Sequence, residues 1–241
     1  MNSSIEKNIY NLTSLWQTVG EEHQSFFSYS NFEYSIVPHS QWPNRLWFTK
    51  EMNDEAVHQA KSKLESIPEK LIVPIWDMGN QDLDPFLNEL GVQPVFQQIG
   101  MSLEPKDILA TSPLLKLIKV SNEAEATVWS ETFLQSFGYK ISSSTLLKTY
   151  NSIDYFLVHK EGKPVGTVIT FETKDTLGIH AMGVIPQYRK QGIANEIMGK
   201  VINAAIEKNI SLLTLQASDM GKGLYLKLGF QEEFLVRNCF L

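Results

Sequence analysis

Between residues 154 and 185 three strand-length runs follow one another with almost nothing between them: Asp154–His159, Pro164–Glu172 and Leu177–Ile185. Glu161-Gly162 and Thr173-Lys174-Asp175 are connections of hairpin length. Pro186 ends the third run by removing a backbone donor. At Ile193 the period changes. Ile193, Ile197, Val201 and Ala205 recur every fourth residue, which predicts a helix with one buried stripe. A meander of strands that passes straight into an amphipathic helix excludes a helical bundle and a pure β-sandwich. It predicts a mixed sheet flanked by helices, an α+β fold.

The flanking segments extend that pattern. Leu114–Val120 reads as a strand, and Ser121 or Asn122 caps a helix running to about Phe137, with a short helix at Ser143–Tyr150. After the Ile193 helix, Leu212–Gln216 reads as a strand, Lys222–Leu228 as a helix and Phe234–Phe240 as a closing strand. The first half is less regular. Leu46–Thr49 reads as a strand end, Asn53–Ser66 as a helix capped by Asn53, Leu71–Trp76 as a strand, Asp84–Leu90 as a helix and Val95–Leu103 as a strand. Helix, strand, helix, strand is also the order of the last third. The wording echoes too: Leu87-Asn88-Glu89-Leu90-Gly91-Val92-Gln93 stands beside Tyr225-Leu226-Lys227-Leu228-Gly229-Phe230-Gln231. This predicts a degenerate internal duplication. Glu104–Pro113, with two prolines and small polar residues, reads as the connector. The expected domains are 1–110, an accessory or degenerate copy, and 111–241, the working copy.

Composition removes several functions. With 21 Lys and Arg against 27 Asp and Glu, the net charge is −6. An acidic surface argues against nucleic acid or an anionic membrane as partner. The single cysteine, Cys239, excludes an internal disulfide and a cysteine-based zinc site. The chain has no G-x-x-x-x-G-K-[ST], H-E-x-x-H, C-x-x-C or G-x-S-x-G. The first residues lack the apolar core of a signal peptide, and no apolar run approaches the ~20 residues that span a bilayer. The expectation is a soluble, cytoplasmic protein that needs no metal.

One segment has the chemistry of an anion cradle: Val184-Ile185-Pro186-Gln187-Tyr188-Arg189-Lys190-Gln191-Gly192-Ile193-Ala194-Asn195. The first N–H groups of a helix lack intrahelical partners, and the helix dipole favours negative charge there. Gly192 and Ala194 keep bulk away from those groups, and Arg189 and Lys190 add positive charge. A second segment, Leu213–Phe230, reads as strand, loop and helix, and carries Ala217-Ser218, Gly221, Leu224-Tyr225 and Leu228-Gly229-Phe230.

Together these segments resemble the GNAT superfamily of acyl-CoA-dependent N-acetyltransferases, over roughly residues 114–241. Arg189-x-x-Gly192-x-Ala194 is similar to that family's pyrophosphate loop, and the later segment to its second signature. The resemblance implies transfer of an acetyl group from acetyl-CoA to an amine of a small molecule or peptide, by direct attack in a ternary complex. It implies that the Met182–Val184 strand holds the pantetheine and acetyl carbonyl, and that N–H groups from Gln191 through Gly192, Ile193 and Ala194 to Asn195 take the pyrophosphate. Tyr225 falls at the family's tyrosine, which protonates the departing thiolate. His180 shares a face with Met182 and Val184 by period 2 and is a candidate base. Two residues before it, where some members carry an acidic base, stands Gly178. His23, His39, His58 and His159 have no motif around them and read as surface residues.

The first half departs from the pattern. No glycine precedes the Asn53 helix, and Leu87 stands where the echo would place a tyrosine. That copy is expected to have lost CoA binding and to shape the acceptor pocket, with Trp42, Trp47 and Trp76 as possible lining. The expected partners are acetyl-CoA and an amine acceptor, in a monomer or homodimer. Two alternatives are a non-catalytic acyl-CoA-binding or regulatory module, and an acyltransferase using a longer acyl-CoA.

Overall fold

A computed structural model describes residues 3–241 of the chain. A 20-residue helix, α1 (Ser3–Glu22), opens it. A small antiparallel sheet follows: β1 (Phe26–Ser28), β2 (Phe32–Ser35) and β3 (Arg45–Phe48). Next come α2 (Asp54–Ser66), β4 (Val73–Asp77), α3 (Asp84–Leu90) and β5 (Gln93–Leu103). The second half contains β6 (Leu115–Lys119), α4 (Glu123–Phe137), α5 (Ser143–Thr149), β7 (Asp154–Lys160), β8 (Lys163–Thr173) and β9 (Thr176–Val184). It closes with α6 (Ile193–Glu207), β10 (Leu212–Ala217), α7 (Asp219–Lys227) and β11 (Gln231–Phe240). Every element expected from the sequence is present, most within two residues. The helix α7 begins three residues earlier than expected because the Ser218 side chain accepts from Gly221 N and caps it there. The caps expected at Asn53 and Asn122 form, each accepting a backbone N–H three residues on.

The sequence reading missed α1, β1 and β2. In α1 the buried face runs Asn8, Asn11, Leu12, Leu15, Trp16, Val19. Two asparagines interrupt the apolar stripe that would have announced a helix.

The main sheet has eight strands in the order β4-β11-β5-β10-β9-β8-β7-β6. Helices α1, α4 and α5 cover one face with a core that includes Leu15, Trp16, Trp129, Phe133 and Tyr155. On the other face α6 and α7 bury Ile197, Met198, Val201, Leu213, Leu215 and Tyr225. A third cluster packs α2 and α3 on β2, β3 and β4. The connector lies along α6: Asn203 exchanges two hydrogen bonds of 2.8 Å with the Leu109 backbone, and Glu196 accepts from Ser112 N at 2.6 Å.

The two halves exchange their last strands. β11 lies between β4 and β5, while β5 lies between β11 and β10. The echo between Leu87 and Tyr225 implies an offset of 138 positions. Across β5 and β11, Gln97 faces Arg237 and Ile99 faces Leu235, with Gln98 opposite Val236 between them. Adding the same offset to Gln97, Gln98 and Ile99 gives Leu235, Val236 and Arg237, so the pairing maps onto itself. The two bulges obey it too. Glu233 is skipped on β11 and Val95 on β5, again 138 apart. A register and a pair of bulges that share one offset with a sequence echo are the signature of a duplicated unit.

Candidate active site

The site forms where two parallel strands part. β9 and β10 pair only from Thr176 and Leu212 to Ile179 and Leu215. Beyond that point β10 keeps only its other neighbour, β5, with Gln216 facing Gly100 and Ala217 facing Ile99. β9 runs on to Val184, and no described residue of β10 pairs with it there. Its backbone groups on that side are open to a ligand.

A bulge sits at the parting point. On β8, Thr167 faces Gly183 and Ile169 faces His180, so Ala181 and Met182 both stand opposite Val168. Ala181 takes a φ of 49°, unusual for a residue with a side chain, and its carbonyl accepts from Thr167 Oγ1 at 3.0 Å. The bulge corrects the period-2 reading of this strand. Met182 and Val184 pack with the α6 side. His180 points to α1, where its Nε2 meets Asn11 Oδ1 at 3.1 Å, and Ala181 packs on the α1 side as well. His180 therefore does not share a face with Met182 and Val184, because the extra residue reverses the alternation.

His180 is partly exposed, yet burial of its ring holds the imidazole well below its ordinary value, at about 4, and a hydrogen bond with Gln216 pulls the other way. At neutral pH it carries no charge. On the opposite side of the sheet, Tyr225 of α7 is 8% exposed and meets Phe230 edge-on at 5.8 Å. Burial pushes its phenol up to about 12, so it keeps its proton at pH 7. The two candidates flank the gap from different faces.

Below the gap stands the start of α6. A short 3₁₀ turn, Pro186–Tyr188, leads to Arg189, Lys190 in the left-handed region (φ 60°) and Gly192 (φ 76°). Gly192 is the N-cap, and no side chain caps the helix. A Cβ on Gly192 would meet nothing within 4 Å, so the space over the first N–H groups is open. Ile193 is buried and anchors the turn, Ala194 packs partly against the core, and Asn195 and Gln191 are exposed. Position 53 at the start of α2 differs: the Asn53 side chain occupies Ala56 N at 2.9 Å. The amino-terminal counterpart of the cradle is filled by its own cap. Leu87, the counterpart of Tyr225, is buried in the third core.

Arg189 has a different task from the free cation expected. Its Nε donates to Val184 O at 2.9 Å and its Nη2 to Ser136 O at 2.8 Å, tying the loop to the end of β9 and to α4. Lys160, not singled out in the sequence, donates to Gln191 Oε1 at 3.3 Å and brings a second cation to the loop beside Lys190. Phe137 closes the far end of β9, since a Cβ on Gly183 would collide with its ring. Trp42 and Trp47 are core residues beside Trp16 rather than pocket lining, and Trp76 stacks on Trp16 at 6.3 Å. Of the remaining histidines, His39 and His58 are exposed. His23 and His159 lie less open than the surface positions expected. Each is partly buried, with an Nε2 that has no hydrogen-bond partner among the described residues. Among the described residues no group of three or more His, Cys, Asp or Glu is placed to hold a metal, and no helix is long and apolar enough to cross a membrane.

A mixed sheet parted between two parallel strands, with an uncapped helix below the gap, places the chain in the α+β acetyltransferase fold class. Residues 151–232 match the family model of the acetyltransferase (GNAT) domain. Solved structures share the fold over nearly the whole chain. A GCN5-related N-acetyltransferase from Kribbella flavida superposes with a TM-score of 0.68 at 16% identity, over 97% of this chain and 95% of that one. Another from Sphaerobacter thermophilus gives 0.64 at 13% identity, over 99% and 91%. A tandem GNAT protein from the clavulanic acid biosynthesis pathway gives 0.60 at 10% identity, over 87% and 78%, and agrees with the tandem arrangement. No curated protein matches the chain in sequence.

Proposed function

We propose that the protein is an N-acetyltransferase that moves an acetyl group from acetyl-CoA to an amine in a ternary complex. The observation that carries this reading is the unpaired end of β9 together with the uncapped start of α6 that follows it in the chain. Acetyl-CoA supplies a thioester carbonyl for the amine nitrogen to attack: a C–N bond forms, the C–S bond breaks and a thiolate leaves. The backbone of Met182–Val184 holds the acyl arm and offers donors to the developing oxyanion. N–H groups from Gln191 to Asn195 hold the pyrophosphate, with Lys190 and Lys160 beside them and Arg189 fixing the loop. Tyr225 gives its proton to the thiolate. His180 takes the proton that the amine loses, directly or through one water. Residues 111–241 form the working domain, and residues 1–110 support it from the degenerate copy. A small or peptide amine fits an acidic chain better than a polyanion does.

A thermal-shift titration with acetyl-CoA, beside CoA, ATP and a longer acyl-CoA, tests this. A ligand at ~100 times its Kd adds about 2.7 kcal/mol of stability. A shift with acetyl-CoA, together with free CoA appearing when amines are added, supports the reading. A response to the longer ester alone would change the acyl group, and no response to any CoA ester would end the proposal.

A further inference from the structure

Beneath the β9 bulge, two amide side chains grip the imidazole of His180. Asn11, wholly buried on α1, donates through Nδ2 to Phe171 O and to Thr173 Oγ1, both at 2.9 Å. A carbonyl can only accept, so Phe171 O fixes which way the amide faces. Both Nδ2 hydrogens are used, and it is the acceptor Oδ1 that meets His180 Nε2. The proton of the neutral ring therefore sits on Nε2, and any proton taken up arrives at Nδ1.

Gln216 is the second amide that acts on the ring, and it favours the protonated form. Its own Nε2 donates to Asn8 Oδ1 at 2.6 Å, and Asn8 Nδ2 donates to Met101 O at 3.0 Å. A backbone carbonyl again anchors the far end of the chain. Gly178 completes the arrangement, because a Cβ there would collide with both Asn11 Oδ1 and His180 Nε2. The amide of α1 fills the space that a side chain at 178 would take.

We propose that Asn11 is a positioning residue for His180: it holds the ring with Nε2 as donor and Nδ1 as the site of proton uptake, so the amino-terminal helix is a working part of the transfer site. This rests on the acetyltransferase reading. Gln216, itself anchored through Asn8, stabilises the imidazolium once the proton has arrived. No charged group takes part. Lys7 of α1 pairs with Asp175 at 2.6 Å, and Glu172 of β8 pairs with Lys208 at 3.6 Å. Burial and Gln216 are the causes of the ring's shift, and Ile169 of β8 faces His180 across the sheet.

The test is nitrogen NMR of the His180 ring in the full chain, beside steady-state kinetics with acetyl-CoA. Wild type is expected as the Nε2–H tautomer. Asn11→Leu is expected to mix the tautomers and lower kcat by roughly ten- to a hundredfold, no more than the lower end of the ~10²–10⁴ that acid–base catalysis supplies, with KM for acetyl-CoA unchanged. Asn11→Asp, nearly the same shape, keeps the test open if the leucine variant does not fold. It is expected to raise the His180 pKa and move the kcat profile to higher pH, which a packing role would not do. An Nδ1–H tautomer in wild type, or an Asn11→Asp profile that does not move, would overturn the proposal. An unchanged rate in His180→Gln, with the expected tautomer in wild type, would also overturn it. Loss of all acetyl transfer in wild type, with that tautomer present, would instead count against the acetyltransferase reading and would remove the clamp's catalytic purpose with it.

Discussion

Tyr225 and His180 differ in what their surroundings demand of them. Tyr225 is a phenol whose shift is caused by burial alone, a neutral donor at any physiological pH. Tyr225→Phe should lower turnover by about ten- to a hundredfold if the hydroxyl acts as the acid, while titration calorimetry should find acetyl-CoA binding nearly unchanged. His180 stays neutral in the folded chain down to about pH 4, whereas in the unfolded chain a histidine binds its proton below about 6.5. Between those values the unfolded state holds more protons, so stability is full above about 6.5 and is lost as pH falls toward 4. His23, lowered by burial and by Lys148, acts in the same direction. His180→Gln should flatten the acid side of a denaturation-midpoint curve. Tyr225 was legible in the sequence because its signature is local. Asn11 was not: its partner His180 lies 169 positions away, and a polar residue in an apolar stripe argues against the helix that carries it.

The elements show why one copy keeps a cradle that the other has lost. Both α2 and α6 follow a strand and begin a buried stripe, but Asn53 spends its side chain on its own helix and Gly192 leaves those donors free. Gly192→Ala should destabilise the chain by about 1–2 kcal/mol, the strain of a left-handed conformation in a residue with a Cβ, read as a lower unfolding midpoint. Gly192→Glu should in addition abolish stabilisation by acetyl-CoA, because a carboxylate would stand in the proposed pyrophosphate site. Unchanged stabilisation in that variant would remove the loop from the site. The start of α6 at Gly192 was legible in the sequence, since a glycine before a small residue and an apolar stripe is a short-range pattern. It misjudged the strand before it. A bulge at Ala181 uses one ordinary alanine, and nothing in the alternation of residues 177–185 announces that the faces reverse.

At the scale of the whole molecule the two copies are bound by more than a connector. In a fragment of residues 111–241, β11 would lose both its neighbours, β4 and β5, and β10 would lose β5. Asn8 and Asn11 would leave the proposed transfer site with them. Such a fragment should not show a cooperative unfolding transition as a monomer by circular dichroism, since open apolar edges favour aggregation. A fragment with a native midpoint would show that the exchanged strands are dispensable. The duplication could be read from the echo at Leu87 and Tyr225, but the exchange could not, because an echo reports like elements and says nothing of which neighbour each one chooses.

That choice has a consequence in time. The segment Gln231–Phe240 is made long after the strands it joins, yet Asp77 finds its partner there in Leu235, and Gln97 finds Arg237. During synthesis the amino-terminal copy waits with one edge of β4 and one edge of β5 uncovered until β11 has been made. Contacts this remote along the chain slow folding. The closing strand therefore acts as a clasp: nothing on either side of it is complete until it arrives, and then both halves lock together.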